Sequence, residues 1–128
     1  MRVGAALLLT LAACTSLRYP PPLAGSEWQV SAINGRATGG GPNYRIAFRN
    51  GSAMGQFGCN HFGGEYRQAG DMLTMGPVAA TEMACSGPAD RFEGEGFAIL
   101  AQPMRAIWHD RARVQLANGA GSIDLERP

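Results

Sequence analysis

The chain has 128 residues, enough for one domain, and 45% of them are apolar. Its 11 basic residues, all arginine, stand against 10 acidic ones, so it offers no basic stripe for nucleic acid. The same near-neutral, lysine-free balance gives no steering toward anionic lipid, and the absence of lysine removes any phosphate loop of the G-x-x-x-x-G-K-[ST] type.

In chain order, Met1-Arg2 is a short positive start, Val3–Leu11 an apolar core, and Ala12-Ala13 the small residues before Cys14. The apolar run falls well short of the roughly 20 residues a membrane-spanning helix needs and has the proportions of a signal peptide over residues 1–13. Leu11-Ala12-Ala13-Cys14 resembles the bacterial lipobox, which makes Cys14 the expected lipid-attachment residue and the membrane an expected partner through that anchor. Thr15, where an Asp commonly retains such proteins at the inner membrane, favours by resemblance the outer membrane with the domain facing the periplasm. Residues 14–22 include Pro20-Pro21-Pro22 and read as an extended tether, about 3 Å per residue. In an exported chain the two remaining cysteines, Cys59 and Cys85, are expected to be joined. A bridge over about 27 residues would stabilise the fold by roughly 3.5 kcal/mol through loop-closure entropy.

The folded part opens at Leu23, and Trp28–Ile33 alternates apolar and polar as a half-buried strand does. Gly39-Gly40-Gly41-Pro42 is a loop by composition; Tyr44–Phe48 and Ser52–Phe57 are strands joined by the hairpin signal Asn50-Gly51. Residues Gly63–Gln68 and Met72–Met75 form a second strand pair around Ala69-Gly70-Asp71. Pro88 at a first helical position predicts a helix from about Ala89 to Ala101, with Phe92, Phe97 and Leu100 on one face. Gly94 and Gly96 each cost that helix about 1 kcal/mol, so packing must hold it. Met104–Trp108, Arg113–Ala117 and Ser122–Glu126 complete eight strands. The expected architecture is α+β: a small, strongly curled antiparallel sheet of about 7–8 short strands packed on one helix.

Four segments together resemble the META domain family, whose bacterial members include HslJ-like envelope lipoproteins. They are Leu23-x-Gly-Ser-x-Trp28, Gly58-Cys-Asn-x-Phe-x-Gly-x-Tyr66, Thr81-x-Met-Ala-Cys85, and a Phe-bearing helix followed by a closing hairpin. The resemblance covers residues 23–126. It implies a curled antiparallel sheet on one helix, a paired Cys59–Cys85 couple, and an association with heat or antibiotic stress, with virulence, or with no assigned role, in each case without enzymatic activity. The motif residues Trp28, Gly58, Asn60, Gly64, Tyr66, Thr81 and Met83 then take structural roles.

The residues themselves support that reading. Gly58, Gly63 and Gly64 mark backbone that a side chain would obstruct. Asn60 reads as a turn former bonding nearby backbone. Trp28 and Tyr66 read as core aromatics with a hydrogen-bonded tip, and Met72, Met75 and Met83 as gap-filling core, with a Met-lined binding groove as the lesser alternative. Catalytic and metal readings are thinner. Cys59, His61, Cys85 and His109 lack the short paired spacings of zinc sites, and a disulfide removes the thiolate that a cysteine nucleophile needs. No G-x-S-x-G elbow is present, and Glu93 and Glu95, two apart on the helix, read as a solvated face. The expectation is a monomeric, non-enzymatic, membrane-anchored envelope domain without cofactor, metal or nucleic acid, supporting stress tolerance or envelope integrity by binding an envelope protein or lipid. The alternatives are a purely structural module or, more remotely, a Cys/His-dependent enzyme or metal-binding protein.

Overall fold

The computed structural model describes residues 21–128 and, before them, Gly4 alone. The expected signal peptide, Cys14 and the tether up to residue 20 lie outside the described residues.

The strands are β1 (Glu27–Ile33), β2 (Arg36–Ala37), β3 (Tyr44–Arg49), β4 (Ser52–Phe57), β5 (His61–Ala69), β6 (Met72–Met75) and β7 (Ala79–Ala80). The helix α1 (Pro88–Leu100) follows, and β8 (Met104–Asp110), β9 (Arg113–Asn118) and β10 (Gly121–Glu126) end the chain. Turn chemistry sets the hairpins. Asn50 and Gly51 both take positive φ, 53° and 76°, matching the twist of β3 and β4. Asn34 and Gly35 do the same between β1 and β2, at 52° and 76°.

Every pairing is antiparallel, in the order β1, β3, β4, β5, β6, β8, β9, β10. The ring closes because β10 returns to β1, with Val30 opposite Leu125 and Ile33 opposite Ile123. The expected α+β architecture is therefore corrected: the fold is a closed eight-stranded antiparallel β-barrel, mostly β, with β2 and β7 as short extra strands on β1 and β5. The one helix among the described residues is not a layer packed on a sheet. The correction has a physical cause, since closure depends on pairing the first strand with the last, a contact that local patterning does not encode.

Eight strands enclose a space that side chains just fill. Inward residues on alternate positions do so here: Val30, Ile46, Phe48, Phe57, Leu73, Leu116 and Ile123 are all buried. The two open ends are closed differently. At one end Leu23 is buried; its N–H donates to Gln68 Oε1 (2.8 Å), and Gln68 Nε2 donates to the Pro21 carbonyl (3.1 Å). At the other end α1 lies across the barrel mouth, against β1, β4 and β10. Beneath it Phe57, Phe62 and Phe97 form an aromatic cluster with centroid separations of 4.7, 5.7 and 6.0 Å. The seam between β6 and β8 is thin, with only Met72 opposite Arg105 and Leu73 opposite Met104.

Candidate functional site

Two features occupy the helix end of the barrel. The first is a polar cluster at the start of β5. Gly58 turns the chain out of β4 with φ 103°, where a Cβ would press on the Tyr44 ring and on Ala89 of the helix. This brings Cys59 and Asn60 under the first turns of α1. Cys59 is disulfide-bonded to Cys85, with the Cα atoms 6.0 Å apart, and the bridge ties the β4–β5 turn to the segment entering the helix.

Asn60 is 4% exposed and uses its whole side chain. Its Oδ1 accepts from Thr81 Oγ1 (2.9 Å) and from the Met83 N–H (2.8 Å). Its Nδ2 donates to the Met83 carbonyl (3.1 Å) and to Glu93 Oε2 (2.9 Å), and lies 3.3 Å from Cys85 Sγ. The Asn60 backbone N–H donates to Glu93 Oε1 (2.7 Å), so one residue grips both carboxylate oxygens. Thr81 Oγ1 also accepts from the His61 N–H (3.1 Å). Asn60 thus binds the segment after β7 and the helix, both distant in the chain, rather than the adjacent backbone that a turn former would bond.

Glu93 corrects the sequence reading most directly. It is 8% exposed, not on a solvated face, and its Oε2 lies 3.4 Å from Cys85 Sγ. Burying a carboxylate is costly unless hydrogen bonds compensate, and the two Asn60 donors supply them. The signal was present in the sequence: positions 93, 96 and 100 follow helical spacing and all three are buried. Glu95, in contrast, faces outward and pairs with Arg36 and Arg91. The Arg36 guanidinium hydrogen-bonded to Glu95 holds its carboxyl below the ordinary value, with Arg91 and Asn34 adding to the effect against a partial desolvation.

The remaining predicted residues scatter by role. Trp28 is 1% exposed and its Nε1 donates to Ser26 Oγ (2.6 Å); Trp108 meets it edge-on and the Arg127 guanidinium sits 4.6 Å from its centroid. Tyr66 packs edge-to-face on Phe48 at 5.1 Å. Gly64 accommodates the Pro77 carbonyl, which a Cβ would meet at 2.9 Å, whereas Gly63 has ordinary room. Met83 is 57% exposed, not gap-filling core; only its backbone serves the Asn60 cluster. His61 stands at the helix end and His109 near the opposite end of β8, both exposed, so Cys59, His61, Cys85 and His109 do not converge.

The second feature is a groove of about 490 Å³ between α1 and the chain leaving β6, lined by Met75, Pro77, Val78, Ala80, Phe97 and Ala101. It lies where β6 and β8 part above their two paired positions. Its volume falls within the range of small-molecule sites, and its lining side chains are apolar, while backbone polar groups make up a good part of its surface. Sequence patterning marked Met75 and Phe97 as core and offered a Met-lined groove only as the lesser reading of Met72, Met75 and Met83, of which Met75 alone lines this groove.

Two solved structures resemble this fold. An NMR structure of a protein from Burkholderia xenovorans aligns with TM-score 0.65 at 20% identity, covering 83% of each chain. A second NMR structure aligns with TM-score 0.69 at 20% identity, covering 80% of this chain and 89% of the other. No curated protein matches the sequence. The sequence pattern of the META domain matches residues 21–123.

Proposed function

The chain belongs to the META domain family, and on that premise we propose that it is a membrane-tethered, non-catalytic envelope domain whose working surface is the groove beside α1. The observation that carries this reading is the groove itself, a recess of about 490 Å³ lined by apolar side chains beside α1. An acyl chain or an apolar side chain of an envelope protein matches its chemistry.

The direction of the chain adds to the argument. Pro21 and Leu23 are held by Gln68 at the end opposite the helix. An anchor at Cys14 would therefore attach on the far side of the barrel from the groove and leave the groove facing the compartment. Support of envelope integrity under heat or drug stress would follow from occupancy of that groove. The non-catalytic reading rests on Cys59 and Cys85 being joined and on the two histidines lying at opposite ends of the barrel.

A photo-crosslinking residue at exposed Ala101, in cells producing the full chain, tests the proposal. A discrete lipid or protein adduct that Val78→Asp abolishes supports it. Absence of any adduct, or one that Val78→Asp leaves unchanged, refutes it. Cys14→Ser should release the protein from the membrane fraction; retention there would refute the anchor.

A further inference from the structure

We propose that Cys59 and Cys85, once their bridge is reduced, form with Glu93 a three-ligand site for a thiophilic divalent cation of the zinc class, with Asn60 as its positioning residue. The two sulfur atoms, bonded to each other in the bridged state, and a Glu93 carboxylate oxygen all lie within 4.8 Å of one another, with Glu93 Oε2 3.4 Å from Cys85 Sγ. A zinc ion takes thiolate at about 2.3 Å and carboxylate at about 2.0–2.2 Å, so two sulfurs on one tetrahedral ion stand roughly 3.8 Å apart. The 6.0 Å between the Cα atoms admits that separation by side-chain rotation, without moving β5 or α1.

The surroundings are those of a prepared ligand set. Glu93 is already oriented by the Asn60 N–H and Nδ2, and Asn60 is fixed in turn by Thr81 and Met83. Such outer hydrogen bonds hold metal-ligating groups in place. The Asn60 oxygen is fully engaged and cannot itself ligate, so the fourth position is open to water or an external group. Two sulfurs and one carboxylate select a borderline-soft ion over magnesium or calcium. Electrostatics give the same answer: two thiolates beside a buried carboxylate repel one another, and a dication removes that repulsion.

The chemistry requires a dithiol reductant. Its two S–H bonds break and its sulfurs join, while two electrons and two protons convert the Cys59–Cys85 bond to two thiols. The incoming cation then displaces both thiol protons.

The test uses the full-length chain, reduced with excess dithiol, freed of it without air, and titrated with Co²⁺. One equivalent should give a thiolate-to-cobalt charge-transfer band that Zn²⁺ abolishes. The oxidised chain and the Cys59→Ser/Cys85→Ser variant should give none. Asn60→Ala should weaken binding by roughly 10–100-fold, and Glu93→Gln by at least as much. Near-ultraviolet circular dichroism reports the fold throughout. The proposal is overturned if the reduced chain shows no band, if Glu93→Gln binds as tightly as the parent, or if reduction unfolds the barrel and Co²⁺ does not restore it. Glu93→Asp draws the carboxylate back by one methylene and serves where Glu93→Gln does not fold: binding weaker than the parent's supports the site, and binding as tight as the parent's by a folded variant overturns it.

Discussion

Gly94 and Gly96 sit two residues apart in α1, and the structure assigns them opposite responses to the same substitution. Each glycine costs the helix about 1 kcal/mol relative to alanine, so intrinsic propensity favours both replacements equally. At exposed Gly94 a new Cβ meets nothing within 4 Å. Gly94→Ala should therefore stabilise by about 1 kcal/mol, raising Tm by roughly 4–8 °C for a domain of this size. At Gly96 the Cβ would fall on the Phe57 ring, 2.6 Å from Cε2 and 2.9 Å from Cγ. Phe57 is fully buried and backed by Phe62 at 4.7 Å, so it has no room to retreat. Overpacking of that kind costs about 1–3 kcal/mol. Because the propensity gain is common to both variants, it cancels in their difference, and Gly96→Ala should fall below Gly94→Ala by that same amount. Urea unfolding followed by circular dichroism, with a shared m-value, measures the difference directly. A Gly96→Ala protein as stable as Gly94→Ala would refute the close seating of α1 on the barrel.

Three further expectations follow from the helix end. Replacing both Cys59 and Cys85 by Ala reopens a loop with a sequence separation of 26 and should cost about 3.5 kcal/mol in urea unfolding; a loss below about 1 kcal/mol would contradict the loop-closure account. Asn60→Ala strips the buried Glu93 of its side-chain donor and should cost about 3 kcal/mol or more, against about 1 kcal/mol for the nearly isosteric Glu93→Gln; equal losses would count against Asn60 as the hub. Glu95 has its folded-state pKa lowered from 4.5, chiefly by Arg36, so its contribution is present above that value and lost as pH falls through the lower folded value. Arg36→Met should flatten that acid limb of the stability profile, and a profile parallel to the parent's would refute the assignment.

Much of the barrel was legible locally. All eight of its strands follow from period-two alternation and from turn residues such as Asn50-Gly51, and Pro88 marks the helix start. Closure was not legible, because the pairing of Val30 with Leu125 is set by tertiary packing and leaves no mark in either strand alone. The short strands β2 and β7 were missed for a related reason: two residues each carry no periodicity. At the candidate site the cysteine pair was readable from its count and from the expectation of export. Glu93 carried a mark in its helical spacing with Gly96 and Leu100, but its charge pointed the other way, since a charged residue on a helix is by default solvent-facing and only the Asn60 donors make its burial tolerable. The groove is a gap between elements, which no residue type announces.

Barrel closure through β1 and β10 has a consequence for biosynthesis. Strand β1, the first among the described residues to leave the ribosome, finds one of its two barrel neighbours only when residues 121–126 have been made. Until then β1 keeps an unsatisfied edge, and the nascent chain is exposed to mispairing with other chains. The sulfur link can form well before that, since Cys85 precedes β8, β9 and β10. Oxidation would then shorten the path over which the late strands must search, making the order of covalent and non-covalent closure a determinant of folding yield.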